Sequence, residues 1–128
     1  MAARIAYDDR LAHLIEAGSD MFLMPSAYEP CGLNQMYSLR YGSPPVVRAT
    51  GGLADTVIDA NPRSIAREEA NGFVFSETSS EALLDALRRA VETYEKPKQW
   101  MKLIRAGMRA DHSWQTSAAE YLELYRAQ

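Results

Sequence analysis

The sequence reads as an α/β chain built on three parallel strands with flanking helices and a helical C-terminus. Three observations predict it. Short unbroken apolar runs occur at Met21-Phe22-Leu23-Met24, Val46-Val47 and Gly72-Phe73-Val74-Phe75. They lack polar alternation, the pattern of strands covered on both faces. Each run is followed by a loop and then by a segment of helical spacing, the order that parallel βα units require. From residue 78 onward the periodicity is helical, interrupted only at Pro97 and near Ser113.

Taken in order, Asp8 to Ala17 places Leu11, Leu14 and Ile15 at helical spacing and is closed by Gly18. Met21 to Met24, closed by Pro25, is the first strand. Pro25 to Gly32 is turn-rich and leads into a helix over Leu33 to Tyr41 that Gly42 terminates. Pro44 and Pro45 introduce the strand at Val46-Val47. The loop Arg48-Ala49-Thr50-Gly51-Gly52 then opens a helix over roughly Leu53 to Asp59, with Thr50 or Gly51 available to cap it. Ala60 to Asn71 is polar and charged and reads as a surface loop. Beyond the third strand, Thr78 and Glu81 have the spacing of a capping box, and the helix they open sets Leu83, Leu84, Leu87, Val91 and Tyr94 on one face. After Pro97 a helix carrying Trp100, Met101, Leu103, Ile104 and Met108 runs to about Arg109. Ser113 starts the last helix, with Leu122 and Tyr125 facing the body of the protein. Arg67-Glu68-Glu69 and Arg88-Arg89 read as solvated faces.

Composition narrows the function classes. With 128 residues, 47% of them apolar, the length suits one small domain and excludes a disordered chain. Fourteen Lys and Arg against 17 Asp and Glu give a net charge of -3 without a basic cluster, so neither nucleic acid nor an anionic membrane is an expected partner. No apolar run approaches the length of a membrane span, and the opening Met1 to Ala6 lacks the apolar core of a secretion signal. The single cysteine, Cys31, excludes an internal disulfide, which makes the cytoplasm the expected compartment. Cys31 itself reads as a small buried filler, and His13 and His112 lack metal-ligand spacing. Three strands leave two sheet edges open, so the pattern resembles half of a doubly wound domain.

In such a sheet ligands bind at the carboxyl ends of the strands. After the first strand, Glu29 stands three residues before Gly32, which opens a helix. The N–H groups of Leu33 and Asn34 point outward there with the positive end of the helix dipole behind them, an arrangement that suits a phosphate. After the second strand, Thr50, Gly51 and Gly52 again offer small residues and free N–H groups at a helix start. Two readings fit these loops: convergence on one ligand, or plain tight turns with Glu29 as a solvated acid.

The runs Asp20 to Ser26, Tyr28-Glu29-Pro30-Cys31-Gly32-Leu33-Asn34-Gln35-Met36-Tyr37 and Thr50-Gly51-Gly52-Leu53-Ala54-Asp55-Thr56-Val57, with Tyr41-Gly42 between the last two, carry a specific resemblance. So do Gly72 to Phe75, Ser113-Trp114-Gln115 and Tyr121 to Tyr125. Together they resemble bacterial glycogen synthase and plant starch synthase over nearly the whole chain. Broader retaining transferases carry a second Glu eight positions after the first; Tyr37 stands there, which fits the glycogen synthase branch rather than sucrose or lipopolysaccharide transferases.

The resemblance implies two Rossmann-like domains facing across a cleft, the GT-B arrangement. Residues 1–128 would then form the C-terminal part of the nucleotide-sugar-binding domain, with the N-terminal domain absent. It implies transfer of glucose from ADP-glucose to the non-reducing end of an α-1,4-glucan with retention, without metal or other cofactor. Glu29 would lie beside the donor sugar and support the transition state. Gly32, Leu33 and Asn34 would present N–H groups to the distal phosphate, while Thr50, Gly51 and Gly52 border the pocket. The glycine-rich loop of the N-terminal domain, and the Arg and Lys that neutralise the diphosphate, have no counterpart here, so the isolated chain is expected to be inactive. Two readings stand beside this one: a non-catalytic module holding a sugar nucleotide or glucan, and an interaction domain whose loops are only turns.

Overall fold

The computed structural model describes residues 3–127; Met1 and Ala2, which begin the stretch read against a secretion signal, and Gln128 lie outside them. The elements run α1 (Asp9–Gly18), β1 (Phe22–Met24), α2 (Asn34–Tyr41), β2 (Pro45–Arg48), α3 (Gly52–Thr56), α4 (Pro62–Ala66), β3 (Phe73–Phe75), α5 (Ser80–Tyr94), α6 (Pro97–Arg109) and α7 (Trp114–Arg126). The strands pair in parallel in the order β1-β2-β3, with Leu23 opposite Val46 and Val46 opposite Phe73. The parallel three-stranded sheet, flanking helices and helical C-terminus are those expected from the sequence.

β2 lies in the middle and divides the core into two layers. On one face Val46, Phe73 and Phe75 pack against Ala86 and Ala90 of α5 and Trp100 and Leu103 of α6. The Phe73 and Trp100 rings stack with centroids 6.3 Å apart. On the other face Val47 meets Leu53 and Val57. The α1 helix starts where Asp8 accepts from the Leu11 N–H at 3.0 Å, and α2 ends at Gly42.

Several expectations are corrected. The first strand is not covered on both faces: Leu23 is 45% exposed, because β1 sits at a sheet edge. Residues 60–71 hold a helix, α4, rather than only a loop. The Asn61 side chain accepts from the N–H groups of Arg63 and Ser64, and the Ser64 hydroxyl accepts from the Asn61 N–H. At five residues α4 is too short to show a periodic apolar face. The third helix stops at Thr56 rather than Asp59, although its N-cap is Gly51, one of the two residues expected there. Ser79, not Thr78, caps α5 by accepting from the Ala82 N–H.

The packing face of α5 is also rotated from the apolar stripe. Ala86, Ala90 and Thr93 are buried, Leu83 and Leu87 are partly so, and Leu84, Val91 and Tyr94 are exposed, because small residues let the helix approach the sheet. Met101 and Met108 of α6 are likewise exposed, and no residue of α7 is buried, Leu122 and Tyr125 included. Arg89 is no solvated face: it donates to Asp59 at 3.0 and 3.1 Å and to the carbonyl of Val74 at 2.9 Å. No helix among the described residues is long and apolar enough to cross a membrane.

Candidate functional site

Because β1 and β2 are adjacent and parallel, the segments that follow them, 25–33 and 49–51, leave the sheet at the same carboxyl end of the strands. They touch. The backbone of Glu29 and Pro30 lies directly over Gly51, where a Cβ would collide with the Glu29 carbonyl, and that of Cys31 lies over Gly52. Gly51 adopts φ 45° and ψ −138°, a conformation that side chains with a Cβ avoid. The glycine pair therefore lets two loops share a space that neither could enter with a side chain in the way.

The N–H of Gly52 donates to the Pro30 carbonyl at 3.3 Å, while those of Leu53 and Ala54 donate to the carbonyls of Thr50 and Gly51. Of the Thr50, Gly51 and Gly52 N–H groups expected to be free at that helix start, that of Gly52 is engaged within the protein. The second loop buttresses the first.

The start of α2 differs. Its N-cap is Leu33, with φ −112° and ψ −30°, and no side chain caps it. Gly32 precedes it with φ 71°, in the left-handed region, and successive residues of opposite handedness turn their N–H groups into a common concavity. Leu33 and Asn34 are exposed, and Glu29 is partly so. Glu29 Cγ lies 3.1 Å from where a Gly32 Cβ would stand, so the missing side chain makes room for the carboxylate stem beside the helix start. Gly32, Leu33, Asn34 and Glu29 are thus brought together, with the backbone of 29–31 packed on Gly51 and Gly52, and Thr50 precedes that pair in the chain. An anion placed here would meet backbone donors and the positive end of α2.

Cys31 is exposed, not a buried filler, because its backbone rather than its side chain carries the packing onto Gly52. His13 packs against Tyr37 and Tyr41, with ring centroids 5.1 and 5.9 Å away, and His112 is exposed. Among the described residues no group of three His, Cys, Asp or Glu could hold a metal ion.

Three supporting residues were not singled out by sequence reasoning. Arg48 donates through Nε to the carbonyl of Ser26 at 2.9 Å and reaches that of Ala27. Gln35, fully buried, donates to the carbonyl of Gly32 at 2.9 Å and lies 3.2 Å from both the Cys31 carbonyl and the Thr56 hydroxyl. Thr56 in turn donates to the Gly52 carbonyl at 2.6 Å. A signal was available: the buried face of α2 is Gln35, Ser38 and Leu39, polar where an amphipathic helix should be apolar.

Against known proteins, the family model described as "Glycosyl transferases group 1" matches residues 4–106. The glycogen synthase of Thioalkalivibrio sulfidiphilus is 56% identical over 126 residues, a stretch that is 98% of this chain and 26% of that protein. The glycogen synthase of Syntrophotalea carbinolica is 59% identical over 125 residues, 98% of this chain and 25% of that protein. The chain thus spans about a quarter of the length of the relatives it matches. Among solved structures, the catalytic domain of starch synthase IV from Arabidopsis thaliana, bound to ADP and acarbose, superimposes with a TM-score of 0.84 at 44% identity, covering 96% of this chain and 25% of that one. Sucrose-phosphate synthase from Thermosynechococcus elongatus gives 0.65 at 26% identity over 94% of this chain and 28% of that one. With the family model covering most of its length, the chain belongs to the group 1 glycosyl transferases.

Proposed function

We infer that residues 1–128 are the C-terminal part of the nucleotide-sugar-binding domain of a two-domain GT-B glycogen or starch synthase. The complete enzyme transfers glucose from ADP-glucose to the non-reducing end of an α-1,4-glucan, with retention. The observation that carries this reading is the start of α2, where an uncapped run of backbone donors opens beside the Glu29 side chain. The ADP and acarbose bound by the starch synthase neighbour support a nucleotide donor and a glucan acceptor.

In the reaction the bond from the anomeric carbon of glucose to the distal phosphate breaks, and its electron pair leaves on ADP. The acceptor hydroxyl oxygen forms the new bond and passes its proton to the departing distal phosphate. Negative charge grows on the distal phosphate as the bond breaks. The N–H groups of Gly32, Leu33 and Asn34, with the α2 dipole behind them, are placed to stabilise that charge more in the transition state than in the ground state. Glu29 lies beside the donor sugar, where a carboxylate offsets positive charge developing at the anomeric carbon. Thr50, Gly51 and Gly52 border the pocket and hold the first loop in place. No step needs a metal. The expected compartment is the bacterial cytoplasm.

Replacing Glu29 with Gln in the complete enzyme tests this. Loss of about a hundredfold or more in kcat with the donor KM little changed is expected, and unchanged turnover removes Glu29 from the chemistry. The 128-residue chain by itself is expected to transfer no glucose, because helix dipoles alone poorly balance a diphosphate. Binding of ADP to it more tightly than about 1 mM would instead favour a free-standing binding module.

A further inference from the structure

Gln35 is fully buried, yet its Oε1 has no hydrogen-bond partner. An apolar side chain of similar size would fill the same space without that penalty. What the amide adds is the set of bonds made by Nε2, which lies within reach of the carbonyls of Cys31 and Gly32 and of the Thr56 hydroxyl. In a trans peptide the N–H points opposite to the C=O. Holding those two carbonyls inward therefore turns the N–H groups of the same peptide units, those of Gly32 and Leu33, outward at the open start of α2. Both bonds also polarise those N–H groups.

The same amide reaches the second loop. Thr56 accepts from Gln35 and donates to the Gly52 carbonyl at 2.6 Å, while the Gly52 N–H returns to the Pro30 carbonyl at 3.3 Å. The ring of bonds closes around the glycine pair. On its other side Gln35 Oε1 occupies the space of the absent Gly32 Cβ, 2.5 Å from that point, opposite Glu29 Cγ at 3.1 Å. One buried side chain thus bonds the carbonyls behind two of the anion donors, reaches the second loop, and stands at the same would-be Cβ as the carboxylate stem.

We propose that Gln35 is the positioning residue of this site: it orients the Gly32 and Leu33 N–H groups toward the donor's distal phosphate, with Thr56 relaying the same constraint to the second loop. The proposal rests on the reading of the site given above and adds the residues that organise it.

The test uses Gln35→Met, which keeps the volume and removes the donors, in the complete enzyme. The donor KM should rise about tenfold and kcat should fall about tenfold, while the KM for glucan stays within about twofold, since the acceptor does not meet these N–H groups. Thr56→Val should shift the same donor parameters in the same direction by less, and Thr56→Ser, which keeps the hydroxyl, should restore them. This pair decides the matter if Gln35→Met does not fold. A lowered melting temperature with donor KM and kcat unchanged, or an equal change in the glucan KM, overturns the proposal. If the complete wild-type protein transfers no glucose, the functional reading fails first. The positioning role is then judged on the 128-residue chain by amide chemical shifts during titration with inorganic pyrophosphate. Shifts confined to Gly32, Leu33 and Asn34 that vanish in Gln35→Met support it. No such shifts in the wild type, or the same shifts in the variant, overturn it.

Discussion

The Arg48 guanidinium, at the carboxyl end of β2, donates through Nε to the backbone carbonyl of Ser26 at 2.9 Å, and a second nitrogen reaches the carbonyl of Ala27. The central strand thereby grips the start of the loop that leaves its neighbour. Arg48→Met should leave both carbonyls without these donors and lower stability by about 1–2 kcal/mol in urea unfolding. Amide exchange should quicken in residues 26–32 more than in β3. An even change along the chain would show that the grip is not local.

Gly51 sets a sharper constraint. A Cβ there would meet the Glu29 carbonyl, and its φ of 45° with ψ of −138° strains any other residue. Gly51→Ala is expected to cost about 3 kcal/mol. Gly18 at the end of α1 is the control: nothing lies within 4 Å of its would-be Cβ, so Gly18→Ala should be neutral or stabilising by less than about 1 kcal/mol. Equal losses for the two variants in denaturant melts would contradict the close approach of the loops.

Glu16 is buried on α1, and one of its carboxylate oxygens has no partner. Burial pushes its carboxyl above the ordinary range, with the charge of His13 opposing to a smaller extent. A folded state that holds the proton more tightly than the unfolded chain loses stability as pH rises from the ordinary carboxylate range through the raised value. The contribution is complete below the unfolded value and gone above the folded one. Urea unfolding followed from mildly acidic to neutral pH should show this decline, and Glu16→Gln should flatten it. A slope that survives the substitution assigns the effect to another group.

The Asp59 and Arg89 pair ties three elements together. Asp59 accepts from the Val74 N–H at 2.7 Å and from Arg89, which also donates to the carbonyls of Ala60 and Val74. Arg89→Met should destabilise by about 2 kcal/mol, because it removes the Arg89 donors from two carbonyls and leaves Asp59 with the Val74 N–H but no cation. Arg89→Lys should recover less than half, since a single ammonium cannot fork to all of them. Asp59→Asn, which can keep the acceptor for Val74, should cost less than Arg89→Met. The double variant should fall short of the sum. Strict additivity in chemical denaturation would mean that the two side chains act independently.

Asp111 holds the start of α7 by accepting from the Ser113 N–H at 2.9 Å and the Thr116 hydroxyl at 2.8 Å. The Ser113 N–H, the Ser113 and Thr116 side chains and His112 keep its carboxyl below the ordinary range. This support is present above the unfolded carboxyl's value and fades as pH falls through the lower folded one. In acid, amide exchange at Ser113 should speed up before that of α5. Simultaneous loss in both helices would rule out a local effect.

Much of the fold was legible because its signals are local. The apolar runs at 21–24, 46–47 and 72–75, the Gly18 close of the first helix and the Gly42 stop all act within a few residues of themselves. Where two local signals competed, the wrong one was read: Thr78 and Ser79 both offer a hydroxyl, and only the path of the chain out of β3 decides that Ser79 caps α5. The rotated face of α5 could not be read either. Leucine marks a helix face by its hydrophobicity, whereas Ala86 and Ala90 mark it by being small enough to touch the sheet, and only the opposing surface says which matters.

The candidate site divides along the same line. Glu29, Gly32, Leu33 and Asn34 stand together in sequence, so the pattern of a carboxylate followed by a glycine-opened helix was visible. That Gly51 and Gly52 serve to admit the backbone of 29–31, that Gln35 reaches Thr56, and that Arg48 grips the loop from β2 depend on residues 21 or 22 positions apart. The sequence alone determined the type of fold and the family resemblance, because periodicity, turn residues and motif order are properties of neighbours along the chain. Only the tertiary structure decided which donors remain open and which are engaged, since a backbone N–H is free or bonded according to what the fold brings within about 3 Å of it.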